Sequence, residues 1–341
     1  MAITIKEIAN IAGVSRGTVD RALNARGGVN PEVEEKILQI AKEHGYKPNL
    51  AAKSLAMTQQ NLSIGVIIYS ENNQFFETVI DGINEAAEEI KEFGITVTIC
   101  KINGFDVGKQ LSKIDELINS GINALAITPI NDKKIIKRLE EIDDIPIIAL
   151  NTDIEGEHNI DYIGCDYYKS GQTAGAMMGL FSKGMGNVLI ITGTHTVYGH
   201  NRRVKGFTDV IQKEYPSLLI KQTIENNDDD EISYNLLKEI IKSDNKNIDC
   251  FYFAAAGVDG GVKALMEDNR CKDFVIITND TSPSRIELIK SGIINATICQ
   301  QPFEQGYNCI KELFNCIMNK KMTTGKKSYT NIGIKLKYNF N

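Results

Sequence analysis

The sequence has no uninterrupted apolar run near the roughly 20 residues a membrane-spanning helix needs. It also has no charged N-terminal stretch leading into a short hydrophobic core of the secretory kind. The expectation is a cytoplasmic protein with no membrane partner. The seven cysteines (Cys100, Cys165, Cys250, Cys271, Cys299, Cys309, Cys316) form no C-x-x-C pair, so neither a disulfide framework nor a zinc site is expected. Cys309 and Cys316, seven apart in a helical pattern, read as small buried hydrophobes. The four histidines are scattered, which argues against any metal site. His195 and His200, in GTHTVYGH, come with no nucleophile motif or metal spacing. No catalytic residue, enzymatic activity or cofactor is therefore expected. After Gly325 no heptad tail follows, only the β-like YTNIGIKLKYNF, which disfavours a tetramer built on a terminal coiled coil.

The chain is 341 residues long and 42% hydrophobic, enough for two domains, or one domain plus an appendage. The net charge of −6 is unevenly spread: residues 1–60 carry eight Lys or Arg against six Asp or Glu, and the remainder 30 against 38. A small anion-seeking head on an acidic body fits that change of sign.

The head begins in TIKEIANIAGVSRGTVDRAL, Thr4 to Leu23. Thr4 and Glu7 have capping-box spacing, and Ile5, Ile8, Ala9 and Ala12 give one apolar helical face. Gly13 then suits a left-handed helix end. Ser15 can cap a second helix in which Val19, Ala22 and Leu23 face inward and Arg16, Thr18, Asp20 and Arg21 outward. This is a helix-turn-helix pattern, whose second helix would enter a major groove N-terminus first. Ser15, Arg16, Thr18 and Arg21 are the candidate DNA contacts; the alternative, a hairpin with solvated arginines, stays open on these residues alone. After NARGGV, Asn30-Pro31 caps a third helix carrying Val33, Ile37, Ile40 and Ala41, which Gly45 and Pro48 end. NLAAKSLA, Asn49 to Ala56, reads as a short helix unstable by itself. Its Leu55 is either a wedge for the minor groove or a linker residue touching the next domain.

From Leu62 onward short β-rich runs alternate with amphipathic helices: SIGVIIY, ITVTICKI, ALAIT and IPIIAL, then NVLIIT, LLIKQTI, CFYFAA and FVIIT. That alternation is the mark of parallel sheets covered by helices on both faces. Two such series in tandem imply two α/β lobes, with a ligand cleft at the C-terminal ends of the strands.

The stretches TIKEIANIAGVSRGTVDRALN, VNPEVEEKILQIAKEHGYKPN and LAAKSLA, followed directly by IGVII, resemble the lactose repressor (LacI/GalR) family of bacterial transcriptional regulators, over essentially the whole chain. From residue 63 on, SENNQFFETVIDGINEAA and ATICQQP are similar to periplasmic sugar-binding proteins of the ribose-binding type. The resemblance implies a three-helix helix-turn-helix head (1–48), a hinge helix and linker (49–61), and a two-lobed periplasmic-binding-protein-like domain. Its N-lobe is expected at 62–162 plus about 293–322, its C-lobe at 163–292 plus about 323–341. A homodimer would read palindromic operator DNA, with paired hinge helices in the minor groove through Asn49 and Leu55. An effector between the lobes would order or melt the hinges. Gly17 stands where the family often has a longer contacting side chain, Asp20 where it usually has serine near a phosphate, and Ala56 where some relatives carry a basic residue.

By the same resemblance the effector site comprises Asn73, Phe75 and Phe76 in the first lobe and Arg203 in the second; strand-end position adds Thr128 and Asn151, Asp280 at the end of FVIITND, and Gln300 in the returning strand. Aromatic faces suit sugar C–H patches, and bidentate polar groups suit hydroxyls. Asn151-Thr152 replaces the Asp-Arg pair of ribose binders, and Ala254 to Gly257 offer no amide, which disfavours plain ribose. Another monosaccharide, a polyol or a sugar phosphate remains. The function expected is a sequence-specific DNA-binding regulator, a repressor, under allosteric control by that effector. A transport-type sugar-binding protein and a regulator driven by a protein partner are the alternatives.

Overall fold

A computed structural model describes residues 3–23, 27–46, 61–69, 74–156, 158–243 and 247–340. The chain divides into two compact units, a small one within residues 1–61 and a large one from Leu62 on.

The small unit is a bundle of three helices, α1 (Ile5–Ala12), α2 (Arg16–Leu23) and α3 (Pro31–Glu43). The Thr4 hydroxyl accepts from the Glu7 amide at 3.3 Å, while the Glu7 carboxylate accepts from the Thr4 amide at 2.8 Å, so both directions of the capping box are made. Gly13 ends α1 at φ 74°, a conformation costly to any residue with a Cβ. Asn30 caps α3 by accepting from the Glu32 amide, with Pro31 in the first turn. Ile8, Ala9, Ala12, Val19, Ala22, Ile37, Ile40 and Ala41 form the shared core.

The large unit holds two six-stranded sheets. Strands β1 (Ser63–Tyr69), β2 (Thr96–Ile102), β3 (Ala124–Ile127), β4 (Ile147–Asn151), β5 (Asp161–Cys165) and β11 (Lys327–Thr330) form the first, in the order β11-β5-β4-β3-β1-β2, with every neighbour parallel. Strands β6 (Gly186–Thr192), β7 (Leu218–Glu225), β8 (Cys250–Phe253), β9 (Val275–Asn279), β10 (Ala296–Cys299) and β12 (Gly333–Lys335) form the second, in the order β12-β10-β9-β8-β6-β7. There only β12 runs antiparallel, to β10. The central strands β3, β4 and β8 are buried along their whole length. That is why they read as continuous apolar runs rather than alternating ones.

The lobes exchange segments differently from the expected division at 293 and 323. β10 pairs in register with β9 (Ala296 with Ile277) and so belongs to the second lobe, whereas β11 pairs with β5 and belongs to the first. The chain thus passes between lobes after Cys165, after Cys299, and between Thr330 and Gly333. A β-rich run announces a strand, but its sheet is chosen by the neighbour whose edge it meets.

Each lobe closes on a pair of helices crossing at glycines. In the first, a Cβ on Gly82 (helix Gln74–Lys91) would stand 2.1 Å from the Phe303 carbonyl oxygen, and one on Gly306 (helix Pro302–Asn319) 2.0 Å from that of Val79. In the second, the same holds for Gly206 (helix Tyr198–Glu214) and the Tyr168 carbonyl at 2.1 Å. Among the described residues no helix is long and apolar enough to cross a membrane.

Candidate functional site

On the small unit, α2 buries Val19 and Ala22 and exposes Ser15, Arg16, Gly17 and Arg21 just before and along its opposite face. The Ser15 hydroxyl accepts from the Thr18 amide at 3.1 Å and bonds the Thr18 hydroxyl at 2.9 Å. Ser15 is thus the cap of α2, and Thr18 is half-buried beside it. Arg21 folds its Nε onto the Gly17 carbonyl at 3.2 Å, leaving the rest of its fork facing outward. Arg16 stands exposed at the helix start, where a guanidinium reaches a groove most easily. Asn49 and Leu55 lie outside the described residues.

In the large unit the strand ends converge on a cleft between the lobes. Asn151 ends β4, Asn279 ends β9 with Asp280 next, and Gln300 follows β10; Phe75, Phe76 and Arg203 complete the ring. Asn151 and Asp280 have φ 68° and 61°, left-handed values that Asn and Asp tolerate best among residues with a Cβ. Phe75 and Phe76 meet edge to face at 5.3 Å, with Phe76 buried.

Arg203 is the centre of this cleft. It is 3% exposed, donates through Nη1 to the Ala254 carbonyl, and lies 4.7 Å from the Tyr167 ring centroid. Its Nε has no partner. Asp280 accepts from Gln300 Nε2 at 2.7 Å, which leaves Asp280 Oδ1 and Gln300 Oε1 buried and unbonded. Burial pushes the Asp280 carboxyl above its ordinary pKa, with the Arg203 charge opposing. A buried polar atom without a partner costs about 1–3 kcal/mol. One donor and two acceptors left open on facing side chains suit a ligand rich in hydroxyls, which donate and accept at once.

Asn151 points its Nδ2 to Gln305 Oε1 at 3.0 Å, and its side chain also hydrogen-bonds the Tyr167 hydroxyl, so it is held from two sides. Thr128 is not brought into the cleft. It is fully buried at the end of β3, and its carbonyl accepts from Gln110 Nε2 at 3.0 Å. Strand-end position placed it in the set, but the cleft is walled by the neighbouring strand ends. Asn73 lies outside the described residues.

The structure adds Tyr167, His200, Asp228, Asn279 and Arg285 to the lining. Sequence reasoning did not single out Asp228, which stands in the acidic run NNDDD, in a turn with φ 53° and 61° over Asn227 and Asp228. The His200 Nδ1 accepts from the Thr194 amide at 3.4 Å. Burial holds its pKa below the ordinary value, against a raising effect of Asp228. A separate cavity of about 1010 Å³ lies elsewhere, along Leu139, Asp153, His158 and Thr323. Two of its polar groups are matched within the fold: Asp153 to Lys327, and His158 to Glu140 and to the Glu155 carbonyl.

Residues 4–49 match the bacterial regulatory proteins of the lacI family, and residues 64–321 match the periplasmic binding protein domain. The chain belongs to the periplasmic binding protein domain family, whose match covers most of its length, and its head alone matches the bacterial regulatory proteins of the lacI family. Among its relatives is the probable HTH-type transcriptional repressor ExuR of Bacillus subtilis (strain 168), 28% identical over 70% of this chain and 69% of ExuR. Catabolite control protein A of Priestia megaterium is 27% identical over 61% of this chain and 60% of its own length. The matched part thus spans between 60% and 69% of these two relatives. In fold, the glucose-galactose binding protein GanP of Geobacillus stearothermophilus aligns with TM-score 0.75 and 23% identity, over 82% of this chain and 98% of GanP.

Proposed function

We propose that this protein is a sequence-specific DNA-binding transcriptional regulator, a repressor, controlled by a small sugar-like effector bound between its two lobes. The observation that carries the reading is the presence in one chain of a lacI-type head, with Arg16 and Arg21 on the exposed face of α2, and a cleft whose Arg203, Asp280 and Gln300 hold unbonded buried atoms. The working form is a cytoplasmic homodimer on palindromic operator DNA, its two α2 helices one helical turn apart, about 10 base pairs. Asn49 and Leu55 of the hinge act in the central minor groove. The effector, a monosaccharide, polyol or sugar phosphate, favours one angle between the lobes and so biases the hinges; only a difference in its affinity for the two states can do this. No catalytic step is part of the reading.

The test is operator selection from a random duplex library with the purified chain, then binding anisotropy on the selected site with and without candidate sugars. A palindromic site whose affinity shifts with a sugar is the expected result. Sugar binding without any selected duplex would instead indicate a sugar-binding protein of transport type. A selected site that no sugar moves would indicate a regulator driven by a protein partner.

A further inference from the structure

One residue of the second lobe is packed in the core of the first. Val197, in the loop between β6 and the helix Tyr198–Glu214, is 4% exposed. It belongs to a hydrophobic cluster whose other buried members all lie between Ile67 and Tyr162. Two hydrogen bonds cross between the lobes beside it: the Asn131 amide donates to the Thr196 carbonyl at 3.2 Å, and the Gly199 amide to the Thr152 hydroxyl at 3.3 Å. Gly199 stands in the first turn of the helix that carries Arg203, where backbone amides have no partner within the helix. Val197 occupies the N-cap and makes no side-chain bond, since an aliphatic side chain has no acceptor to offer. Thr152, from the other lobe, supplies the acceptor instead.

The loop is built onto the second lobe. The Val197 amide donates to the Thr194 carbonyl at 3.2 Å, and Asn201 Nδ2 to the His195 carbonyl at 2.8 Å. It also stands apart from the chain crossings. In the order β12-β10-β9-β8-β6-β7, β6 is three strands from β10, about 14 Å at the usual strand spacing. Val197 lines the cleft as well, so the cleft opens at this point only if Val197 leaves the first lobe and both bonds break.

We propose that residues 194–199 form a latch between the lobes: Val197 seats in the first lobe when the cleft closes and withdraws when it opens, so residue 197 sets how much of the protein is closed. Withdrawal returns an aliphatic side chain to water and takes Thr152 from the Gly199 amide. An effector in the cleft and the latch then favour the same state, and a weaker latch demands more of the ligand's own contacts. That regulatory role rests on the effector reading above; the docking of the loop does not.

The test is hydrogen exchange at single-residue resolution on the full chain, without ligand or operator. Val197→Ala should speed exchange of the Asn131 and Gly199 amides about tenfold or more, while the amides of the buried strands β3 and β8 keep their rates. Thr152→Val, similar in shape but without the acceptor, should speed Asn131 as well as Gly199, although it touches only Gly199, because both amides are released in one opening. Acceleration confined to Gly199 in Thr152→Val, or unchanged rates at both amides in Val197→Ala, overturns the latch. So does equal acceleration in β3 and β8, which would make Val197 an ordinary core residue. Operator binding that no sugar shifts would remove the effector reading and leave the docking standing.

Discussion

The Gly171 Cα presses against the Arg203 backbone: a Cβ at residue 171 would stand 1.9 Å from the Arg203 carbonyl oxygen. The helix Tyr167–Phe181 therefore seats the helix that carries the cleft's buried guanidinium. Gly171→Ala should force the helices apart and cost about 1–3 kcal/mol, as overpacking does, with the sugar response falling as Arg203 shifts. Urea unfolding and effector titration of the same variant check both. Unchanged stability would mean the crossing is looser than it stands here.

Arg203 is buried near Asp280 but makes no ion pair among the described residues, a state that contributes little to stability. Arg203→Met, similar in length and apolar, should leave the melting temperature unchanged or raised and abolish the effector response while operator binding persists. A variant that melts much earlier would make Arg203 a structural residue.

On the small unit the two substitutions of interest pull apart. Arg16→Ala should cost about 1–3 kcal/mol of operator binding and relax preference at one base position. A loss spread evenly over all sequences would mark a phosphate contact instead. Gly17 is mid-surface on α2, and only Ser15 Oγ lies within 4 Å of an added Cβ, at 3.8 Å. Gly17→Ala should therefore stabilise the head by about 0.5–1 kcal/mol, read as a higher midpoint in thermal unfolding of the full chain followed by a head-specific probe.

His200 gives the large unit a pH dependence. Its folded pKa lies below the unfolded value of 6.5, so on acidification the unfolded chain takes up the proton first. Stability should therefore fall as the pH drops below about 6.5 toward the folded pKa, and be unaffected above it. His200→Gln should flatten that part of the profile of Tm against pH. An identical slope in the variant would assign the effect to other groups.

Much of this architecture was legible in local chemistry. Thr4 with Glu7, Gly13, and Asn30 with Pro31 each state a helix end within four residues, because capping is a short-range matter of free amides and carbonyls. The runs at β3, β4 and β8 announced strands as continuous apolar stretches, in keeping with their burial along the whole length. What escaped was non-local. ATIC at 296–299 reads equally well in either sheet, and only pairing with β9 decides it. Thr128 looked like a cleft residue because it ends a strand, yet it is fully buried and outside the lining. Asp228 could not be picked out, because its place beside Gly193 and the Ala256 amide, both far from it in sequence, is set by the tertiary fold. Residues at ordinary helix ends carry their role in sequence, whereas residues at the cleft acquire theirs from the tertiary fold.

The three passages at Cys165, Cys299 and Thr330–Gly333 work as a bound spine does in a book. Two covers sewn at three places can swing about one line, but they resist sliding past each other and twisting, since either would stretch one stitch while slackening another. A ligand in the cleft is thus expected to act on the opening angle of the two lobes rather than on a slide or a twist.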